Sequence, residues 1–282
     1  MGGSGSFVTC GADHRVVLLL IAVGVLMLIL ARRTLRPFDS GPGLGRGVLA
    51  QDVARTEAKG RPERVERVEG RRQWSPGLAR GAPLADDRWV RRTVSLVLVG
   101  NALSSWIVGW AQGHPRLPLQ LCDLAVLFTA WALLTLEPTV SELAYFWGLG
   151  GSLQAVLTPD LQRAFPDYWW LTFFVAHGGV VLGVVYLAIT GRVEPTHASV
   201  WRVWGWSNLY VLIAGLINWA CGINLGYLAR KPIHPSLLDH LGPWPYYIVA
   251  MEAMGLASFY LYYALFAFAR RNVRYQIPFQ GI

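Results

Sequence analysis

Lysine is nearly missing from this chain: of its 25 basic residues only Lys59 and Lys231 are lysines, and the rest are arginines. Charge of either sign is scarce, at 15% of 282 residues, which is too little for an ordinary soluble domain. Cysteine is scarcer still. Cys10, Cys122 and Cys221 are too few for a disulfide framework or a thiolate metal site, and one bridge, Cys122–Cys221, stays open as a possibility. No Gly-rich phosphate loop, zinc-binding helix motif or serine nucleophile elbow occurs. The spacing of His114, His177 and His234 matches no metal pattern, so no metal and no cofactor is expected. An internal repeat is also lacking, which argues against a repeat-built transporter.

What is abundant is apolar. Hydrophobic residues make up 54% of the chain, with 13 Trp and 16 Pro, and the mean hydropathy is +0.37. This composition predicts an all-α, polytopic membrane helix bundle. Seven segments are apolar over about the 20 residues a bilayer requires: roughly 14–31, 93–111, 118–136, 139–157, 168–189, 204–222 and 246–269. The first has the short apolar core of a signal peptide, but arginines and no small-x-small cleavage site follow it, so it reads as a retained span.

The organisation follows. Residues 1–31 form an N-terminal tail and first transmembrane helix. Residues 32–92 form an Arg-rich loop without apolar periodicity, expected to be disordered. Residues 93–269 form a six-helix transmembrane core, and 270–282 a basic tail. With the N-terminus outside and the C-terminus cytoplasmic, 20 of the 25 basic residues fall on the cytoplasmic side. The +8 net charge is thus a topology signal, not a nucleic-acid footprint.

On that topology the polar residues gather towards the outer side. Cys122 and Asp123 open the third span, Gln154 and Thr158 close the fourth, and Asn218 and Asn224 close the sixth. His177 lies about 13 Å into the fifth span at a helical rise. The rigid, proline-rich loop containing Lys231, His234, Asp239 and His240 crosses the same face and reads as a lid. An ionisable residue within a span is costly, and therefore a candidate for function. The bland readings are a hydrogen-bonded core histidine for His177, a small hydrophobe for Cys122 and a helix-dipole carboxylate for Asp123. The sharper one is a thiol nucleophile at Cys122 with His177 as its base.

Four blocks carry a family resemblance: "LPLQLCDLA" (117–125), "FWGLGGSLQAVLTPDL" (146–161), "FFVAHGGVVLGVVYL" (173–187) and "GINLGYLARKPIHPSLLDHLGPWPYY" (222–247). With "FVTCGADH" (7–14), which brings His14 to the family's usual place, they resemble the YwaF-like integral membrane proteins of bacteria, related to eukaryotic transmembrane protein 164. The Arg-rich insert at 32–92 departs from the compact bacterial pattern. The resemblance implies a seven-span fold. For the eukaryotic relative it implies an acyltransferase that builds polyunsaturated ether phospholipids, with a cysteine matching Cys122 and, by the same route, His177 as its partner. Membrane lipid hydrolases of the androgen-induced type, which look like distant relatives, use a Thr and a His within the membrane.

The expectation is therefore a multi-pass cell-membrane enzyme for lipid acyl transfer or acyl-ester hydrolysis. Cys122 and His177 are the catalytic pair, and Asp123, Gln154, Thr158, Asn224, Lys231 and Asp239 support them or bind substrate. Its partners are membrane lipids, including an acyl-donor lipid, with no nucleic acid; the sequence leaves the oligomeric state open. The alternatives are a transporter or binding protein for a small polar solute or lipid without covalent chemistry, and a non-enzymatic scaffold.

Overall fold

Every regular element in the computed structural model is helical; it describes residues 11–35, 87–114, 117–232 and 237–274. Seven long helices appear among them: α1 (Ala12–Leu35), α2 (Arg88–Ala111), α3 (Leu121–Thr135), α4 (Pro138–Trp147), α5 (Tyr168–Ile189), α6 (His197–Cys221) and α7 (Tyr246–Arg274). They belong to one compact unit that leaves out residues 34–87. Most of the 32–92 loop, the end of the basic tail and His234 lie outside the described residues.

Four of the helices, α1, α2, α5 and α7, are long and apolar enough to cross a membrane. Their surfaces explain the composition. Leu96 is 73% exposed, Val249 70% and Trp219 on α6 86%. A face this apolar is unfavourable in water and is at home in hydrocarbon. This is an all-α membrane helix bundle.

Helix ends are set locally. Gln120 is the residue before α3, so Pro118 precedes the helix by three residues instead of opening it. The Glu137 carboxylate caps α4 by accepting the Val140 N–H at 2.6 Å, and Pro138 follows at the first helical position. Thr196 and Ser199 form a capping box for α6. That box starts the helix at His197, where the hydropathy pattern alone suggested 204. Towards the other end of α3, buried Arg91 donates to Leu133 O at 2.5 Å and Ser95 to Ala130 O at 3.0 Å, pinning α2 to carbonyls of the last turns of α3.

α4 does not run straight. It passes into a π turn, Gly148–Leu153, and then a last α-helical turn, Gln154–Leu157. The three glycines of "GLGGSL" supply the room. A Cβ on Gly148 would lie 2.9 Å from Val180 and 3.0 Å from Val184, so α5 closes directly on the backbone there.

α5 is the hub, and its glycines turn to different neighbours. A Cβ on Gly178 would lie 3.2 Å from Ile21 of α1, on Gly179 2.9 Å from Leu98 of α2, and on Gly183 3.0 Å from Thr129 of α3. Small residues let transmembrane helices approach closely and gain dispersion along their length.

Candidate functional site

The polar end of the bundle is built around the start of α3. The Asp123 carboxylate accepts the Gln120 N–H at 3.3 Å, which holds it as a helix-start acceptor. The Gln120 side chain is turned outward to the segment after α6. Its Oε1 accepts the Gly226 N–H at 2.9 Å and its Nε2 donates to Asn224 O at 3.4 Å. Tyr210 of α6 donates to Leu119 O at 3.1 Å. Buried Asn218 grips Leu225 from both sides, accepting its N–H at 2.6 Å and donating to its carbonyl at 3.0 Å.

This segment then folds on itself. Asn224 Oδ1 accepts the N–H groups of Ala229 and Arg230 at 3.0 and 3.2 Å, so its role here is to shape the loop. Lys231 Nζ reaches Asp239 O at 3.5 Å and lies 5.4 Å from the centre of the Tyr247 ring. Tyr247 donates to Tyr227 O at 2.5 Å, and Trp244 Nε1 to Leu228 O at 3.1 Å. Gln154 and Thr158 bond to each other at 2.9 Å at the exposed end of the α4 segment.

Cys122 is exposed, in the first turn of α3. Cys221 is exposed too, and the two thiols are not joined, so the bridge left open by the sequence is not formed. Cys122 acts electrostatically on both Tyr210 and Tyr227. Asp160, in the segment after α4, acts electrostatically on Tyr227 as well. Burial first, then the nearby Asp160 and Cys122, raise the pKa of Tyr227 above its usual 10.0. The thiol thus lies near side chains from both α6 and the segment after it.

His177 is buried in α5, nine residues past Tyr168. Its Nδ1 lies 2.8 Å from Phe173 O, and its ring lies 4.2 Å from that of Phe173 between centroids. A carbonyl only accepts, so Nδ1 carries the proton, and in the neutral ring Nε2 is the basic nitrogen.

The packing fixes how the pair relates. Thr129 and Leu133 of α3 abut Gly183 of α5. Cys122 lies on the same stripe of α3 as Thr129, about two turns earlier, and His177 precedes Gly183 by fewer than two turns. α3 and α5 are adjacent and parallel, each being joined to α4 by a short reversal. Cys122 and His177 therefore occupy the same end of the bundle at levels within about one turn, or about 5 Å along the axes. Around its helix His177 is rotated by about 120° from Gly183 and shares a stripe with Val180 and Val184, which meet the π turn at Gly148. The sequence placed these two residues on one side, with His177 the deeper; it did not show that Cys122 lies by tyrosines of other segments while His177 shares the stripe that meets α4.

Four residues of this region escaped the sequence reading as site candidates. Tyr227 and Asp160 carry no spacing signal, because they are remote from Cys122 in sequence, and Gln120, two residues before Cys122, shows its part only through its bonds to Asn224 and Gly226. Ser152 is 1% exposed and its Oγ makes no hydrogen bond. It follows Gly148 by four residues in the π turn, a known marker of functional helix segments.

An all-α membrane helix bundle with a polar, thiol-bearing end defines the class. The TMEM164 family model matches residues 9–263, and the chain belongs to that family. Comparison with curated proteins found no match, and neither did comparison with solved structures.

Proposed function

We propose that this chain is a multi-pass cell-membrane enzyme that transfers or hydrolyses lipid acyl groups through Cys122 and His177. The observation that supports it most is the setting of Cys122: an exposed thiol beside Tyr210 and Tyr227, at the same end and level as a buried histidine whose Nδ1 is already held. Cys122 Sγ attacks the acyl ester carbonyl, the thiol proton passes to His177 Nε2, and the alkoxide leaves with that proton. The thioester is then resolved by a hydroxyl acceptor or by water, which restores the thiol. Because the two side chains lie on differently directed stripes of their helices, one water or the substrate hydroxyl carries the proton between them.

The bacterial, YwaF-like relationship suggested by the sequence is part of this reading, as is an orientation with the N-terminus outside. On that orientation the polar end of the bundle faces the outer leaflet, and membrane lipids are both donor and acceptor. The test is labelled acyl transfer in vesicles: Cys122→Ala and His177→Ala each abolish it if the reading holds, and full activity of Cys122→Ala overturns it. One observation favours the non-covalent alternative: His177 shares a stripe with Val180 and Val184, which meet Gly148, and not with Gly183, which meets α3. That alternative predicts solute flux in proteoliposomes, unchanged by Cys122→Ala.

A further inference from the structure

Glu252 is a carboxyl set inside a span. It lies six residues past Tyr246, where α7 begins, or about 9 Å into the helix, and α7 is long and apolar enough to cross a membrane. Its hydrogen-bond partner is neutral. Asn208 Nδ2 of α6 donates to Glu252 Oε2 at 3.3 Å and to Trp204 O at 2.8 Å, which holds the amide in place. Among the described residues no basic side chain forms an ion pair with this carboxylate. An ionisable group at such a depth is costly without a counter-charge.

The space beside it is open. α6 and α7 run antiparallel: Asn208 meets Glu252, while Trp201, earlier on α6, meets Tyr260, later on α7, with 6.2 Å between ring centroids. Between these two contacts each helix carries a glycine on nearly the same stripe. Gly205 lies three residues before Asn208, and Gly255 three after Glu252. Both therefore stand about 4.5 Å along the axes from the pair, at one level. A Cβ on either would meet nothing within 4 Å. The glycines of α5 differ, since a Cβ on Gly178, Gly179 or Gly183 would meet a neighbour at 3.2 Å or less. On α5 glycine lets helices close. On α6 and α7 it leaves a notch, about 10 Å long from the Asn208–Glu252 pair to the two rings.

We infer that this notch binds a single-chain alkylamine, its ammonium on the Glu252 carboxylate and its chain laid over Gly205 and Gly255 towards Trp201 and Tyr260. The ammonium supplies the missing counter-charge together with N–H donors for the carboxylate oxygens. A metal ion would find too few oxygens, with one carboxylate and one amide at hand. A zwitterionic headgroup would bring a phosphate that no basic residue beside Glu252 is placed to take, so a net cation is favoured. The site stands apart from the thiol. Tyr210, which bonds to the start of α3, is two residues past Asn208 and so lies on the opposite face of α6.

The test titrates the full chain in phosphatidylcholine nanodiscs with radiolabelled octylamine, counting as specific the binding that excess unlabelled amine displaces. Saturable binding is expected in the wild type. Octanol has the chain without the charge, and lysophosphatidylethanolamine adds a phosphate; each is expected to compete at least about tenfold less well than octylamine. Glu252→Gln keeps an acceptor for Asn208 and removes the charge, so it is expected to hold its Tm and lose at least about tenfold in affinity. Gly255→Leu fills the notch without a clash and is expected to keep its Tm while binding falls. No saturable binding in the wild type overturns the inference, as does equal competition by octanol or lysophosphatidylethanolamine. Undiminished affinity in Glu252→Gln overturns it as well, and the wild-type competition decides the matter if a variant fails to fold.

Discussion

The Gln120 side chain accepts the Gly226 N–H at 2.9 Å, joining the start of α3 to the turn that carries Tyr227. The two residues are 106 positions apart. This bond and the Tyr210 bond to Leu119 O hold the segment after α6 against the helix that presents Cys122. Gln120→Ala leaves the Gly226 N–H without its acceptor, at a cost of about 1–3 kcal/mol. A lower Tm and faster proteolysis within 223–232 are expected, and Gln120→Glu, which keeps an acceptor oxygen, should lie between.

Gly183 sets the approach of α3 to α5. A valine there would drive its Cβ to 3.0 Å from Thr129 and 3.3 Å from Leu133, costing about 1–3 kcal/mol by overpacking. Because that contact also aligns Cys122 with His177, activity should fall more than stability accounts for. Gly205 on α6 is the control: a Cβ there meets nothing within 4 Å, so Gly205→Ala should be neutral or gain up to about 1 kcal/mol. Thermal unfolding in detergent reads both.

Cys122 and Cys221 are both exposed and unbridged to each other. Maleimide should label each without prior reduction, and Cys221→Ser should leave acyl transfer unchanged while Cys122→Ser loses it. Protection of Cys221 that only a reductant lifts would contradict this.

Tyr227 supplies a pH signature. Its folded pKa lies above 10.0, so its contribution to stability is complete below pH 10.0 and is lost as pH rises through the folded value. Tyr227→Phe should therefore lose less stability than the wild type on raising the pH past that point. Paired unfolding curves in the alkaline range measure the difference.

The fold was legible because membrane helices announce themselves by hydropathy, and all seven segments from α1 to α7 were anticipated to within a few residues at most ends. The exceptions have local causes. Thr196 and Ser199 start α6 seven residues early through a capping box that hydropathy does not register. The π turn hides in "GLGGSL", which reads as ordinary helix.

The site was legible only in part. Cys122 and His177 stand out because a thiol and an imidazole are rare in spans. Gln154, Thr158, Asn224, Lys231 and Asp239 were chosen for their polarity and do lie in the segments after α4 and α6, yet Asn224 and Asp123 spend hydrogen bonds on local backbone. Tyr227 and Asp160 were invisible because neither residue type is unusual in a loop. Their relation is electrostatic, between segments separated by the whole of α5 and α6.

The most direct measurement is mass spectrometry of the wild-type chain after brief exposure to labelled phosphatidylcholine. The account predicts a hydroxylamine-sensitive acyl group on Cys122, absent from Cys122→Ala and formed at least about 100-fold more slowly in His177→Ala. Label on Cys221, or acyl transfer that persists without any label on Cys122, would contradict it.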